Sequence, residues 1–333
     1  MHAGFGRAED GAREAASPSI TVYSGRARQL VAPVFESFER ETGIRVRVRY
    51  GGTAELAALL LEEGDRTPAD LFFAQDAGAL AAVERAGRFR PLPESLRRTV
   101  EPRFVSRASE TGGGWVGVTG RARTIVYNTD LVDPAALPQT LEEVLGGEWT
   151  GKVGYPPTNA SFQAMVSAMR ARDGDEKTMQ WLRALRASGA KTYANNTETV
   201  RAVASGEVAI GLVNHYYALR MLTESPRLPI ANHYMGGDDV GSLVNVAGAG
   251  VMRRRGGTDA THEASERLIA FMLSEQAQSY FATETFEFPL IAGVEPPAGA
   301  PTLERVGAGT IDLGALSDLE GTLRLMSRAG VLP

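Results

Sequence analysis

Residues 44–50 read Ile-Arg-Val-Arg-Val-Arg-Tyr, an alternation that suits an extended strand and no other regular conformation. Neighbouring side chains in a strand point to opposite faces. Ile44, Val46, Val48 and Tyr50 therefore share a face expected to be buried, and Arg45, Arg47 and Arg49 share a basic one. A helix carrying Leu30, Val31, Val34, Phe35 and Phe38 at helical spacing precedes this strand and stops near Gly43. Another, through Leu56, Leu59 and Leu60, follows it and ends at Gly64. Adding a short strand at 19–23, a third at 71–73 and a helix over 79–86 gives the order β-α-β-α-β-α. That order implies an α/β fold with a mostly parallel sheet and helices on both faces. Ligands of such sheets bind beyond the carboxyl ends of the strands.

Beyond the apolar segments 115–118 and 124–127 the alternation resumes. A strand over 153–155, helices over 160–172, 176–187 and 197–204, and a strand over 208–213 read as a second α/β lobe. One more apolar strand is expected over 246–252, and long helices over 262–274 and 313–329. Two such lobes joined by extended strands would enclose a cleft. A chain of 333 residues with 43% hydrophobic content can fill both cores. The net charge of −5 argues against a polyanionic partner, so no nucleic-acid binding is expected. With no cysteine there are no disulfides, thiolate metal sites or Cys nucleophiles. No run of eighteen apolar residues provides a membrane-spanning segment. Residues 1–17 are polar, Gly/Ala-rich and unpatterned. They suit a flexible leader left after a signal peptide or lipoprotein signal, and equally a cytoplasmic disordered terminus.

The chemistry concentrates in Asn214-His215-Tyr216-Tyr217, where the strand 208–213 meets a helix through 218–222. Adjacent side chains of a strand diverge, so the two hydroxyls converge only if the chain has already turned into the helix. Converged, they offer two phenolates to one hard cation, ferric iron above all. Alternatively they are amphipathic aromatics closing the top of a sheet. His215 reads as a strand-end residue rather than a base behind the tyrosines, His233 as a cleft-edge residue and His262 as a helix-start residue. No zinc-type spacing links them, and neither a Ser-His-Asp nor a Gly-x-Ser-x-Gly pattern suggests an enzyme.

The segments ITVYSGR at 20–26, FERETGIRV at 38–46 and EEGDRTPADLFF at 62–73 resemble the opening of the bacterial ferric-binding proteins, periplasmic iron carriers of ABC importers. TGRARTIVYN at 119–128, TNASFQ at 158–163, YANNT at 193–197, GEVAIGLVNHYY at 206–217 and FPLIAGV at 288–294 continue the likeness in order over residues 18–333. Several of these motifs mark the broader class of solute-binding proteins, whereas the tyrosine pair is specific to iron. The resemblance implies a type II periplasmic-binding-protein fold. One lobe would comprise residues 18–121 with 246–296, and the other 122–245 with 297–333. It also implies a non-enzymatic, monomeric carrier that hands Fe(III) to a permease, in the periplasm or outside the cell, with lipid anchoring as one route of retention.

Carried over by position, Tyr216 and Tyr217 fall on the family's two phenolate ligands. In this family a carbonate or phosphate completes the sphere. Thr158, Asn159, Ala160 and Ser161 open a helix after Pro156-Pro157 and would form the anion nest, with Arg121 as a charged fork and Asn196 on the anion side. Thr158 or Asn159 would equally serve as a plain N-cap, and Arg121 and Arg123 as surface charges. Ser24, Gly25, Ala27, Gln75 and Asp76 are expected around the cleft. Ala27 and Gln75 stand where family members carry a His and a Glu ligand, and Ser161 and Phe162 where others recruit a further Tyr. Asp76 is read as a helix N-cap, with ligation as the alternative; Tyr23 and Tyr155 also lie near strand ends. The implied sphere is two phenolates, a bidentate anion and water. A phosphonate, another oxyanion or a chelated iron complex is the alternative cargo.

Overall fold

The computed structural model describes residues 19–107, 113–236, 239–306 and 311–332; the leader expected at 1–17 lies outside them. The strands are β1 (Ser19–Ser24), β2 (Arg45–Tyr50), β3 (Leu71–Ala74), β4 (Val116–Asn128), β5 (Val153–Tyr155), β6 (Lys191–Thr192), β7 (Ile210–Asn214), β8 (Ile230–His233), β9 (Val244–Val251) and β10 (Phe288–Pro289). The helices are α1 (Arg28–Thr42), α2 (Thr53–Glu63), α3 (Ala77–Arg85), α4 (Glu94–Arg97), α5 (Ala160–Ala187), α6 (Asn196–Ala204), α7 (His215–Glu224), α8 (Asp259–Met272), α9 (Glu275–Glu284), α10 (Leu303–Val306) and α11 (Leu319–Ala329). The alternation read from the first hundred residues yields β1, β2 and β3 in parallel, with β2 at the edge. An edge strand lacks a neighbour on one side, and its apolar face is correspondingly half-buried rather than buried, while Arg45, Arg47 and Arg49 are exposed.

β4 organises the molecule. The sequence suggests two apolar segments interrupted by Arg121 and Arg123; instead one thirteen-residue strand runs through both, buried at every position. Its first half pairs antiparallel with β9 as far as Ala122↔Val244 and takes β10 on its other edge. From Arg123↔Asn214 onward it pairs with β7, and its end also pairs with β8. The path β2-β1-β3-β9-β4-β7-β5-β6 thus divides at the Ala122–Arg123 bond into two half-sheets sharing one strand.

Two helical segments differ from or refine the expectation. Gly174, at φ 85° and ψ 165°, interrupts α5 and makes it two helices, as the gap between 172 and 176 suggests. The helix expected over 313–329 is broken at Asp318, which caps α11 by accepting from Gly321 N at 3.0 Å. The 3-10 turn before it, Leu313–Ser317, lies on α3, where a β-carbon on Gly78 would come within 2.8 Å of Leu316 O. α11 packs on α5, with buried Ser167 and Thr322 hydroxyls 2.8 Å apart. Residues 311–332 therefore bind both half-sheets.

At the carboxyl ends of β1 and β3 three loops meet without spare room. Gly25 N donates to Phe73 O at 2.8 Å, Thr53 Oγ1 donates to Gly25 O at 3.3 Å, and Gln75 N donates to Thr53 Oγ1 at 3.1 Å. A β-carbon on Gly25 would sit 2.0 Å from Thr53 Oγ1 and 3.0 Å from Thr53 Cα. Gly25→Ala must push these loops apart and should destabilise the fold by about 1–3 kcal/mol, the usual range for overpacking. Urea unfolding tests this, and an unchanged midpoint would contradict the packing described.

Candidate functional site

α3, α5 and α7 begin at the carboxyl ends of β3, β5 and β7, and residues at or just before their starts line one narrow cavity, which Tyr216 and Tyr217 do not line. Gln75, Asp76, Arg121, Arg123, Ala160, Ser161, Asn214, Leu243 and Asn245 line it, so both half-sheets contribute. Helix starts carry free N–H groups and the positive end of the helix dipole, which favours negative charge in this space.

β7 ends at Asn214 and the chain enters α7 at once, placing Tyr216 and Tyr217 in its first turn. This is the geometry that lets adjacent side chains converge: the rings stack at 4.3 Å with a 30° interplanar angle. Both are half-buried, and Tyr217 packs on the small core formed by Val126, Val200, Val203 and Val213. Burial pushes the Tyr216 hydroxyl above the ordinary phenol range; neighbouring Tyr217 adds to the rise and Arg121 opposes it. His215, read as a strand-end residue, opens the helix and is fully buried. It stacks on Phe288 at 4.5 Å, and its Nδ1 accepts from Ala122 N at 3.2 Å, beside the point where β4 changes partners.

Neither arginine of β4 is a surface charge: Arg121 is 3% exposed and Arg123 2%. Two residues apart on a strand, they share a face, and they differ in what satisfies them. Arg121 Nη2 donates to Gln75 O, and its Nε lies 3.8 Å from Glu287 Oε1. Glu287, itself buried, binds Arg26 at 2.5 Å and accepts from Thr119 Oγ1 at 2.9 Å. Among the described residues Arg123 has no carboxylate partner. Its Nη1 donates to Ser161 Oγ at 3.1 Å and Asn214 Oδ1 at 3.2 Å, leaving Nε and Nη2 buried without partners. Burial pulls its pKa down to about 9, with the phenol groups of Tyr216 and Tyr217 acting in the opposite direction.

Asn159 caps α5, its Oδ1 accepting from Ser161 N at 3.0 Å and Ser161 Oγ at 2.6 Å. Asn196 Nδ2 donates to both Asn159 Oδ1 and Ser161 Oγ at 3.2 Å, and its own Oδ1 is buried without a partner. Asp76 is the N-cap of α3, accepting from Ala79 N at 2.9 Å, and burial is the main cause raising its carboxyl pKa.

Several expected residues stand apart from the cavity. Thr158 is exposed, with Oγ1 3.5 Å from Ala194 O, because the cap is made by Asn159. Ser24 is buried and donates to Arg26 O, Gly25 is enclosed by Thr53, and Ala27 is exposed at the start of α1. His233 approaches Pro138 O at 2.9 Å and does not line the cavity. Tyr155 lies against Phe162, and Tyr23 donates to Glu63. The sequence gives no sign of Arg26, Glu287 or Asn245 at the site, places Asn214 in the tyrosine motif without a role for its side chain, and does not distinguish Arg123 from Arg121. The Arg-x-Arg spacing was a usable signal for Arg123; nothing in the sequence ties Glu287 to Arg26, 261 positions away. Among the described residues no group of three or more His, Asp or Glu is arranged to hold a metal ion.

The model of a family described as bacterial extracellular solute-binding proteins matches residues 66–306. A Fe(3+)-binding periplasmic protein of Serratia marcescens is 30% identical over 320 residues, covering 95% of this chain and 92% of the relative. Iron-bound HitA from Pseudomonas aeruginosa is similar in structure with a TM-score of 0.82 at 30% identity, over 94% of this chain and 99% of that one. The IdiA (FutA) protein of Trichodesmium, in complex with iron and citrate ligands, follows at 0.79 and 25% identity, with coverage of 94% and 99%.

The buried imidazole makes the fold sensitive to acid. Burial lowers the His215 pKa from 6.5 to about 4, so the unfolded chain binds the extra proton first as pH falls below 6.5. Stability should be fully present above pH 6.5 and decline by about 2–3 kcal/mol towards pH 4, at 1.36 kcal/mol for each pKa unit. Urea unfolding across this range should show the decline in the wild type and a shallower one in His215→Gln. Identical pH dependence in both proteins would contradict it.

Proposed function

The chain belongs to the bacterial extracellular solute-binding protein family and has its two-lobed fold; from that premise we propose that it carries Fe(III), together with a small anion, to the permease of an ABC importer. The observation that carries this reading is the tyrosine pair at the start of α7, set beside a buried arginine that has no carboxylate partner. Two phenolates suit a hard trivalent cation, whose charge offsets the burial that otherwise keeps Tyr216 protonated. Iron would enter as two phenol protons leave.

Fe(III) with two phenolates retains one positive charge, and Arg123 adds another. A carbonate or phosphate would balance them. Its natural place in this reading is between the N–H of Ala160, the first of α5, and the free Nε and Nη2 of Arg123. Arg123 takes the role the sequence suggested for Arg121, whose guanidinium already has Gln75 O and Glu287 beside it. Residues 18–121 with 246–296 and 122–245 with 297–333 are the proposed lobes, with ligands entering between them. The location is extracytoplasmic. A chelated iron is the second reading, favoured by the citrate bound with iron in the similar Trichodesmium protein. The absence of an anionic residue at Ala27 and Gln75 would leave coordination positions for such a carboxylate.

Titration with a ferric salt in the presence of bicarbonate should produce a visible phenolate-to-iron charge-transfer band saturating at one iron per protein. Tyr216→Phe and Tyr217→Phe should each abolish it, since each removes an anionic donor and keeps the ring. Full colour and stoichiometry in both variants would overturn the assignment. Phosphonate or oxyanion cargo without iron predicts no band at all.

Gln75 lines the cavity whereas Ala27 does not, so Gln75→Glu is the substitution placed to add a ligand. It should slow iron removal by citrate about tenfold, the low end of 1–3 kcal/mol for a charge-assisted contact. An unchanged rate would mean that position 75 does not reach the metal.

A further inference from the structure

Three guanidinium groups are buried where β4 passes between the half-sheets, and Glu287 is the carboxylate paired with any of them among the described residues. It comes from the loop before β10, outside the residues lining the cavity. Phe286, immediately before it, has φ 58°, a left-handed conformation uncommon for a non-glycine residue. Such a turn persists when its surroundings over-determine it, and here it directs the following carboxylate inward. Glu287 Oε1 lies 2.5 Å from Arg26 Nη2 and 3.8 Å from Arg121 Nε, while Oε2 accepts from Thr119 at 2.9 Å. One negative charge is thus divided between a cation outside the cavity wall, Arg26, and a cation in it, Arg121.

We infer that Glu287 is a positioning residue that sets how strongly the cavity holds an anion, by restraining Arg121 and neutralising part of its charge, with Arg26 competing for the same carboxylate. The inference rests on the anion site of the preceding reading. Arg121 Nε is buried without a hydrogen-bond partner, so its hold on Glu287 is the weaker of the two. The arrangement has a sign. Removing the carboxylate exposes the cavity to the full charge of Arg121 and should tighten anion binding. Removing Arg26 gives Arg121 the whole of Glu287 and should weaken it. A group serving packing alone would loosen the site in both variants.

Inorganic phosphate is the probe, titrated calorimetrically into the iron-free full chain. Glu287→Gln should bind phosphate about tenfold more tightly than the wild type, and Arg26→Met about tenfold more weakly, as expected of one charge acting in a partly desolvated site. Glu287→Gln leaves two buried cations uncompensated and, if it fails to fold, Arg26→Met alone decides. Unchanged or tighter binding by Arg26→Met overturns the inference, as does weakening in both variants. Phosphate binding by the wild type together with unchanged variants rejects the role of Glu287 and keeps the anion site. No phosphate binding by the wild type rejects both.

Discussion

A buried arginine with no carboxylate partner among the described residues is the constraint around which this molecule is arranged. Arg123 lies on the strand that both half-sheets share, 2% exposed, with two donor atoms unpartnered. Taking a guanidinium out of water costs several kcal/mol unless charge and hydrogen bonds are restored to it. Ser161 and Asn214 supply neutral oxygen only. Two elements bear on that need: α7, whose first turn presents two ionisable phenols, and α5, whose first N–H, at Ala160, and helix dipole suit an anion. The charge that makes the site costly to bury is the charge that would hold a ligand there.

A cation carrier with an electropositive cavity is less contradictory than it sounds. In the proposed reading the cavity would attract the anion, and the anion and phenolates together would make a site for the metal. Asp76 contributes little to such a sphere while its carboxyl caps α3. Because Gln75 and Asp76 come from one half-sheet and Ser161 and Asn214 from the other, a ligand there bridges the two. β4 and β9 carry the chain between them, and the α11 segment braces the far side against α3 and α5.

Much of this was legible in the sequence because local rules dominate it. Alternation at 44–50 and helical spacing around Phe35 and Phe38 report burial directly, and the elements formed accordingly. The tyrosine pair was legible because it lies at a strand-to-helix junction, where convergence has one geometric solution. What escaped depends on distance along the chain. Two arginines in a buried strand look like surface charges until Glu287, from a distant loop, is known to lie beneath one of them. The half-burial of β2 was equally invisible, since a strand's own sequence does not say whether it has a neighbour. The break at Asp318 follows from the turn before it packing on α3, a tertiary demand that outweighs helical periodicity.

The central claim is that iron is held through the oxygens of Tyr216 and Tyr217 while Arg123 faces an anion. Resonance Raman spectroscopy of the iron-loaded protein, excited in its visible band, reads the phenolate ligation directly. The account predicts enhanced vibrations of iron-bound phenolate rings in the wild type and none in either single tyrosine-to-phenylalanine variant, since each loses the band. Stoichiometric iron without phenolate vibrations would contradict it.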